Sequence, residues 1–140
     1  MADTGFNWGA WAFIKDDGGD DWNADALADN ATETSNQTID LDVKAACEVG
    51  IALTEDNTGA IAGVVTVYVL GDAGGMADEV TTAGSPWSFT ITPVQNSTVY
   101  KRFPIDPGSY GTFVLAIKNE SGQELAVSAK YRTATIPAAS

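Results

Sequence analysis

An alternation of apolar and polar residues from Ile39 to Leu53 constrains this chain more than any other feature. Every odd position is apolar: Ile39, Leu41, Val43, Ala45, Cys47, Val49, Ile51 and Leu53. The even positions read Asp40, Asp42, Lys44, Ala46, Glu48, Gly50, Ala52 and Thr54. A period of two sends successive side chains to opposite faces of an extended chain. One face buried and the other wet is the pattern of antiparallel sheet. Residues 39–53 fully extended would span about 50 Å, whereas most strands run about 3–10 residues. The pattern therefore predicts two strands, parted near Ala45–Ala46 by a bend, bulge or corner.

The rest of the chain from residue 38 reads the same way. Glu55–Gly59 is a turn cluster. Ile61–Leu70 is apolar on both faces, as a central strand would be, and Gly71-Asp72-Ala73-Gly74-Gly75 breaks it ahead of a loop over 76–84. Trp87, Phe89 and Ile91 alternate with Ser88, Thr90 and Thr92, which puts Trp87 in the core. Val99–Ile105 is a short strand whose end Pro104 demotes to an edge or a turn. Asp106-Pro107-Gly108-Ser109 is a turn. Tyr110–Lys118 and Glu124–Thr133 read as the arms of a hairpin around Asn119–Gln123. In the second arm Leu125, Val127, Ala129 and Tyr131 face one way and Glu124, Ala126, Ser128, Lys130 and Arg132 the other. Seven or eight strands with closely spaced turns and no convincing helix predict an all-β antiparallel sandwich, jelly-roll or Ig-like. Its expected core includes Ile39, Leu41, Val49, Ile51, Val67, Phe89, Leu115 and Val127.

Residues 1–37 have a different character. Phe6, Trp8, Trp11 and Phe13 make an aromatic arm, suited to the protein's own core, to a neighbouring subunit or to a ligand platform. Residues 15–37 are almost all polar and read as a long loop or lid, with Trp22 hard to place among aspartates. The expected organisation is thus an arm and acidic loop over 1–37, a sandwich over 38–135 and a tail over 136–140.

Charge narrows the function. The net charge is −12, and residues 1–60 hold 13 acids and 2 bases. Such a surface repels nucleic acid and anionic membranes, so neither is an expected partner. No basic segment with an apolar run opens the chain, and no run of 18 apolar residues occurs, so neither a signal peptide nor a membrane-spanning helix is expected. Four N-x-S/T sequons, at Asn30, Asn36, Asn96 and Asn119, read as chance products of a polar β sequence.

With no histidine, Ser-His-Asp, Cys-His and His-metal sites are impossible. The single Cys47 falls in the apolar register and reads as a buried small hydrophobe. Catalysis would need carboxylate pairs alone, and acids are too abundant for a pair to be informative, so no enzyme and no cofactor are expected. Asp16, Asp20 and Asp21 are a candidate set of hard oxygen ligands for calcium, without EF-hand spacing. The alternative is a solvated acidic loop.

From residue 38 onward the chain resembles small β-sandwich virion proteins of tailed bacteriophages. The resemblance rests on Thr38-Ile39-Asp40-Leu41, Glu48-Val49-Gly50-Ile51-Ala52-Leu53-Thr54, and Val65-Thr66-Val67-Tyr68-Val69 with its Gly71-Asp72 turn. It continues through Trp87-Ser88-Phe89, Phe103-Pro104-Ile105-Asp106-Pro107, and Asn119-Glu120-Ser121-Gly122 ahead of Val127–Thr133. It implies a structural role with no catalytic residues, located in the virion. An auxiliary capsid protein would bind the major capsid protein or another virion protein, as a homo-oligomer such as a trimer. Phe6, Trp8, Trp11 and Phe13 are the candidate partner-binding residues. The rival readings are a tail or fibre component and a carbohydrate-binding module that stacks sugars on exposed aromatic rings.

Overall fold

The computed structural model describes residues 5–56, 59–71 and 87–136. The expected breaker after Gly71, the loop over 76–84, part of the 55–59 turn and the tail beyond Ile136 lie outside those residues. The elements are β1 (Asn7–Trp8), β2 (Ala12–Phe13), β3 (Asp25–Leu27), β4 (Thr32–Thr34) and β5 (Ile39–Asp40). They are followed by β6 (Ala46–Glu55), β7 (Val65–Gly71), β8 (Trp87–Ile91), β9 (Ser97–Ile105), β10 (Thr112–Asn119) and β11 (Leu125–Thr135).

Two antiparallel sheets pack face to face. In the first, β1, β2 and β3 pair in succession along β11, which pairs β6, which pairs β9. In the second, β4 and β5 pair along β10, which pairs β7, which pairs β8. Among the described residues, counting each broken edge as one row, each sheet has four rows, and successive rows change sheet at nearly every connection. This is jelly-roll connectivity, the first of the two expected topologies.

The long alternation splits as expected, into β5 and β6. Cys47, Val49, Ile51 and Leu53 point inward, and so does Glu55. Val43 departs from the register. It lies in the turn between the strands, 86% exposed, with φ +56°. The turn closes with Lys44 N–H donating to the Leu41 carbonyl (3.1 Å). The odd-position apolar pattern continues through this turn by composition, but a turn has no two-fold periodicity to obey.

Four expectations need correction. The first is the hairpin: β10 and β11 lie in different sheets, so Asn119–Gln123 is an arch between layers. Asn119 holds the arch. Its Nδ2 donates to the carbonyls of Leu27 (2.9 Å) and Gln123 (2.7 Å), and its Oδ1 accepts from the Ser121 N–H (3.0 Å) and hydroxyl (2.7 Å). This buried sequon asparagine has its amide fully engaged.

The second is the loop or lid over 15–37. These residues build edge rows of both sheets. Asp25–Leu27 pair with Leu125–Val127, and Thr32–Thr34 pair with Ala116–Lys118. Residues 15–21 are pinched out of the first row. Ile14 N–H donates to the Ala129 carbonyl, and the Ala129 N–H donates to the Trp22 carbonyl (both 2.9 Å). Ile14 and Trp22 are fully buried. Residues 7–34 therefore belong to the sandwich, not to a separate arm ahead of residue 38.

The third and fourth concern single side chains. Trp87 is 44% exposed on the edge strand β8, not core. Phe89 is partly buried, and its ring packs on Phe103 with centroids 4.2 Å apart, which closes the seam between the edge strands β8 and β9. The other seven expected core residues are buried.

Candidate binding face and carboxylate cluster

Two features stand out for function. One is the outer face of the first sheet; the other is a cluster of carboxylates in the seam between the N-terminal edge rows.

The outer face is built by alternation. On β6 the outward residues are Glu48, Gly50, Ala52 and Thr54; on β11 they are Ser128, Lys130 and Arg132. Registered beside β6, Arg102 pairs with Gly50, Tyr100 with Ala52 and Thr98 with Thr54. Gly50, Ala52, Thr54 and Ser128 keep part of the face low, whereas its margins carry rings. Trp11 reaches over β11 until its indole lies 3.5 Å from where a Cβ on Gly50 would stand. The result is an open depression of about 740 Å³, with Trp11 and Phe13 on one side and Tyr100 on the other.

Charge on this face is opposite to that of the molecule. Three of the seven basic residues, Arg102, Lys130 and Arg132, project from it. The Arg132 guanidinium stacks 4.2 Å from the Trp8 ring centroid and 4.8 Å from that of Trp11. It also donates to Glu48 Oε1 (2.8 Å), whose Oε2 pairs with Arg102 Nε (2.9 Å). Lys130 Nζ sits 4.4 Å from the Phe13 centroid. Cation–π contacts of this length hold a ring and a charge together without burying either. Trp8, Trp11 and Phe13 thus lie on their own domain but outside its core. Trp11 stays 38% exposed and Phe6 half exposed, with Phe6 edge-on to Trp8.

The second feature draws on one of the three residues expected as calcium ligands. Asp20 and Asp21 are exposed, and Asp21 forms an ion pair with Lys15. Only Asp16 of that set joins a cluster, and its companions are Asp25 and Glu33, with one carboxylate oxygen from each within 4.8 Å of the others. Asp25 sits opposite Val127 and Glu33 opposite Ile117. Both partners are fully buried, so both acids point between the sheets. Asp16 enters from the pinched segment, where its Oδ1 accepts the N–H groups of Gly18 (2.9 Å) and Asp20 (3.0 Å).

The electrostatics follow from this crowding. The Asp16–Asp25 hydrogen bond requires a proton on one partner. It holds Asp16 below the usual carboxylate range, helped by the backbone donors against the effect of burial. The same hydrogen bond, then burial and the charges of Asp16, Asp17 and Asp20, push Asp25 up to about 6. Burial first, then the charge of Asp17, pushes Glu33 up to about 7. The Cys47 thiol is pushed up to about 12 by burial and by Glu48, which makes it inert at neutral pH.

Sequence spacing could not have shown the cluster. Residues 16, 25 and 33 have no period in common, and they meet only because the chain changes sheets between Leu27 and Thr32. A faint signal was present: Asp25 and Glu33 share the inward parity of Leu27 and Ser35 on their strands.

Among the described residues no helix is long and apolar enough to cross a membrane. No family model and no curated protein matches the chain. Among solved structures, it is similar to a chain from work describing Bacillus endospore appendages as a novel family of disulfide-linked pili. The identity is 10%, covering 98% of this chain and 96% of that one, with a TM-score of 0.42. Superposition at that level is too loose to transfer a role.

Proposed function

We propose that this chain is a non-catalytic structural protein of a tailed-phage virion, an auxiliary capsid protein that binds the head surface. Its partner is the major capsid protein or another virion protein. The observation that supports this reading most is the outer face of the first sheet. It combines Trp, Tyr and Arg, the residue types that carry most binding energy at protein interfaces. Trp8, Trp11 and Phe13 are held by cation–π contacts on the sheet, so less of their side-chain freedom is lost on docking. A homo-oligomer, a trimer for instance, would repeat this face and raise avidity through effective concentration.

The test is co-sedimentation of the chain with purified heads and, separately, tails. Trp11→Ala and Tyr100→Ala remove rings outside the core, so circular dichroism should be unchanged. We expect the double variant to bind heads at least tenfold more weakly. Full occupancy by that variant would refute docking through this face, and binding to tails alone would make the chain a tail or fibre component.

A carbohydrate-binding reading is favoured by one specific observation. Trp11, Phe13 and Tyr100 border the open depression of about 740 Å³. A glycan array separates the two readings: saturable hits lost in the Trp11→Ala variant would select the glycan reading.

A further inference from the structure

The carboxylates of Asp16, Asp25 and Glu33 form an arrangement that is unfavourable without a counter-charge. Asp25 and Glu33 extend from edge rows of opposite sheets into the same seam, and Asp16 closes over them. The charges that act on these two groups are themselves carboxylates: Asp16, Asp17 and Asp20 on Asp25, and Asp17, Asp25 and Asp16 on Glu33. The nearby cation Lys15 is engaged by Asp21. One further atom marks the site. Glu33 is only 9% exposed, and its Oε2 is buried with no hydrogen-bond partner. A buried carboxylate oxygen left unpaired is costly, and such an orphan calls for a ligand.

We propose that Asp16, Asp25 and Glu33 bind one calcium ion in the seam between the two N-terminal edge rows, with Glu33 Oε2 as a ligand atom. Distance supports the choice of ion. Two oxygens bound to Ca²⁺ at about 2.3–2.6 Å can stand up to roughly 4.6–5.2 Å apart. The three oxygens lie within 4.8 Å of one another. Mg²⁺ demands a near-ideal octahedron and gives up water reluctantly, so a site built mainly of protein carboxylates suits it less well. Waters would complete the shell, as is common for calcium. The backbone donors on Asp16 Oδ1 play an orienting part, holding that ligand in place as outer-shell partners do. Because the ligands come from both sheets and from the pinched segment, the ion would tie all three together. Binding would therefore stabilise the fold.

The test uses the full chain, stripped with EDTA and dialysed, and calcium chloride as the probe. Thermal melts and isothermal titration calorimetry are run at pH 7.5 against sodium chloride of matched ionic strength and against magnesium chloride. We expect a saturable calcium-specific rise in melting temperature, about 5 °C or more at ten times the dissociation constant. Glu33→Gln should melt higher than the parent in EDTA, since it removes a buried charge, and should lose the calcium rise. Asp25→Asn is the second variant should Glu33→Gln fail to fold, and it should also lose the rise. Asp21→Asn, outside the cluster, should keep it. A parent that responds to calcium no more than to matched sodium chloride would overturn the proposal. So would a calcium response that survives unchanged in either cluster variant.

Discussion

Two single residues show how local chemistry and position combine. Val43 occupies the third position of the turn from Leu41 to Lys44 with φ +56°. A β-branched side chain in the left-handed region is strained, by roughly 1–2 kcal/mol. Being almost wholly exposed, Val43 gains nothing from burial in return. Val43→Asn should therefore raise stability by about 1 kcal/mol, read as a shifted urea midpoint with unchanged slope. An unshifted midpoint would show that the turn relaxes without strain. Asn119 is the opposite case, a polar residue whose four amide hydrogen bonds hold the arch between sheets. Asn119→Asp replaces a donor with a charged acceptor facing two carbonyls. We expect a loss of about 3 kcal/mol or more at neutral pH. Asn119→Ser, which keeps a small donor, should lose less. At the core, Ile51 is 2% exposed, and Ile51→Asp should cost several kcal/mol, on the order of 3–5, or prevent folding.

At the scale of elements, the edges carry most of the information. The first sheet ends in β9, an edge strand of nine residues with no further strand beyond it among the described residues. Long free edges invite pairing with other chains. This one carries Lys101, Arg102 and Pro104. Lys101 sits opposite Ile51 on the inward side of the edge, and Pro104 offers no N–H. Lys101→Val together with Pro104→Val should keep the fold but promote self-association, measured by light scattering at increasing concentration. A doubly substituted chain that stays dispersed like the parent would show that other features protect this edge. The opposite side of the sandwich is managed differently: residues 7–27 and 32–40 lie along β11 and β10 as broken rows. This also bears on truncation. Ile14 is fully buried and Ala12–Phe13 pair with β11, so removing residues 1–14 would damage the first sheet. Point substitutions at Phe6 and Trp11 are the sounder probes of docking.

For the whole molecule, acidity sets the pH response. Asp25 and Glu33 sit near 6 and 7 in the folded chain against ordinary values of 3.8 and 4.5. Both are raised, so the unfolded chain gives up these protons first. Well below pH 3.8 the two groups are protonated in both states and cost nothing, and from there up to about 7 the unfolded chain ionises them first. As pH rises through 7 they must ionise in the seam, and stability falls. Asp16, held low, acts in the opposite sense in strong acid. In EDTA we therefore expect the melting temperature to be higher near pH 5 than at pH 8, with Glu33→Gln flattening the slope. A melting temperature that climbs steadily from pH 5 to pH 8 would contradict this assignment of the buried acids. Added salt should also help, since the net charge of −12 is screened over about 8–10 Å.

The sequence by itself determined the β class, the faces of the main strands and nearly all of the named core. Period-two alternation is a local property, and the side that is apolar is the side that is buried, as Cys47 to Leu53 and Leu125 to Ala129 show. It also placed Cys47 correctly, because register and residue type agree there. Tertiary structure alone decided which strands pair. The short link from Asn119 to Gln123 suits a hairpin and an inter-sheet arch equally. It also decided that residues 15–37 are structural. An edge row is held by backbone hydrogen bonds, which are blind to side-chain polarity, so a polar stretch can complete a sheet without an apolar pattern. The meeting of Asp16, Asp25 and Glu33 follows from the same cause. It depends on two edge rows lying across from one another in different sheets, a relation between distant backbone ladders that no local spacing encodes.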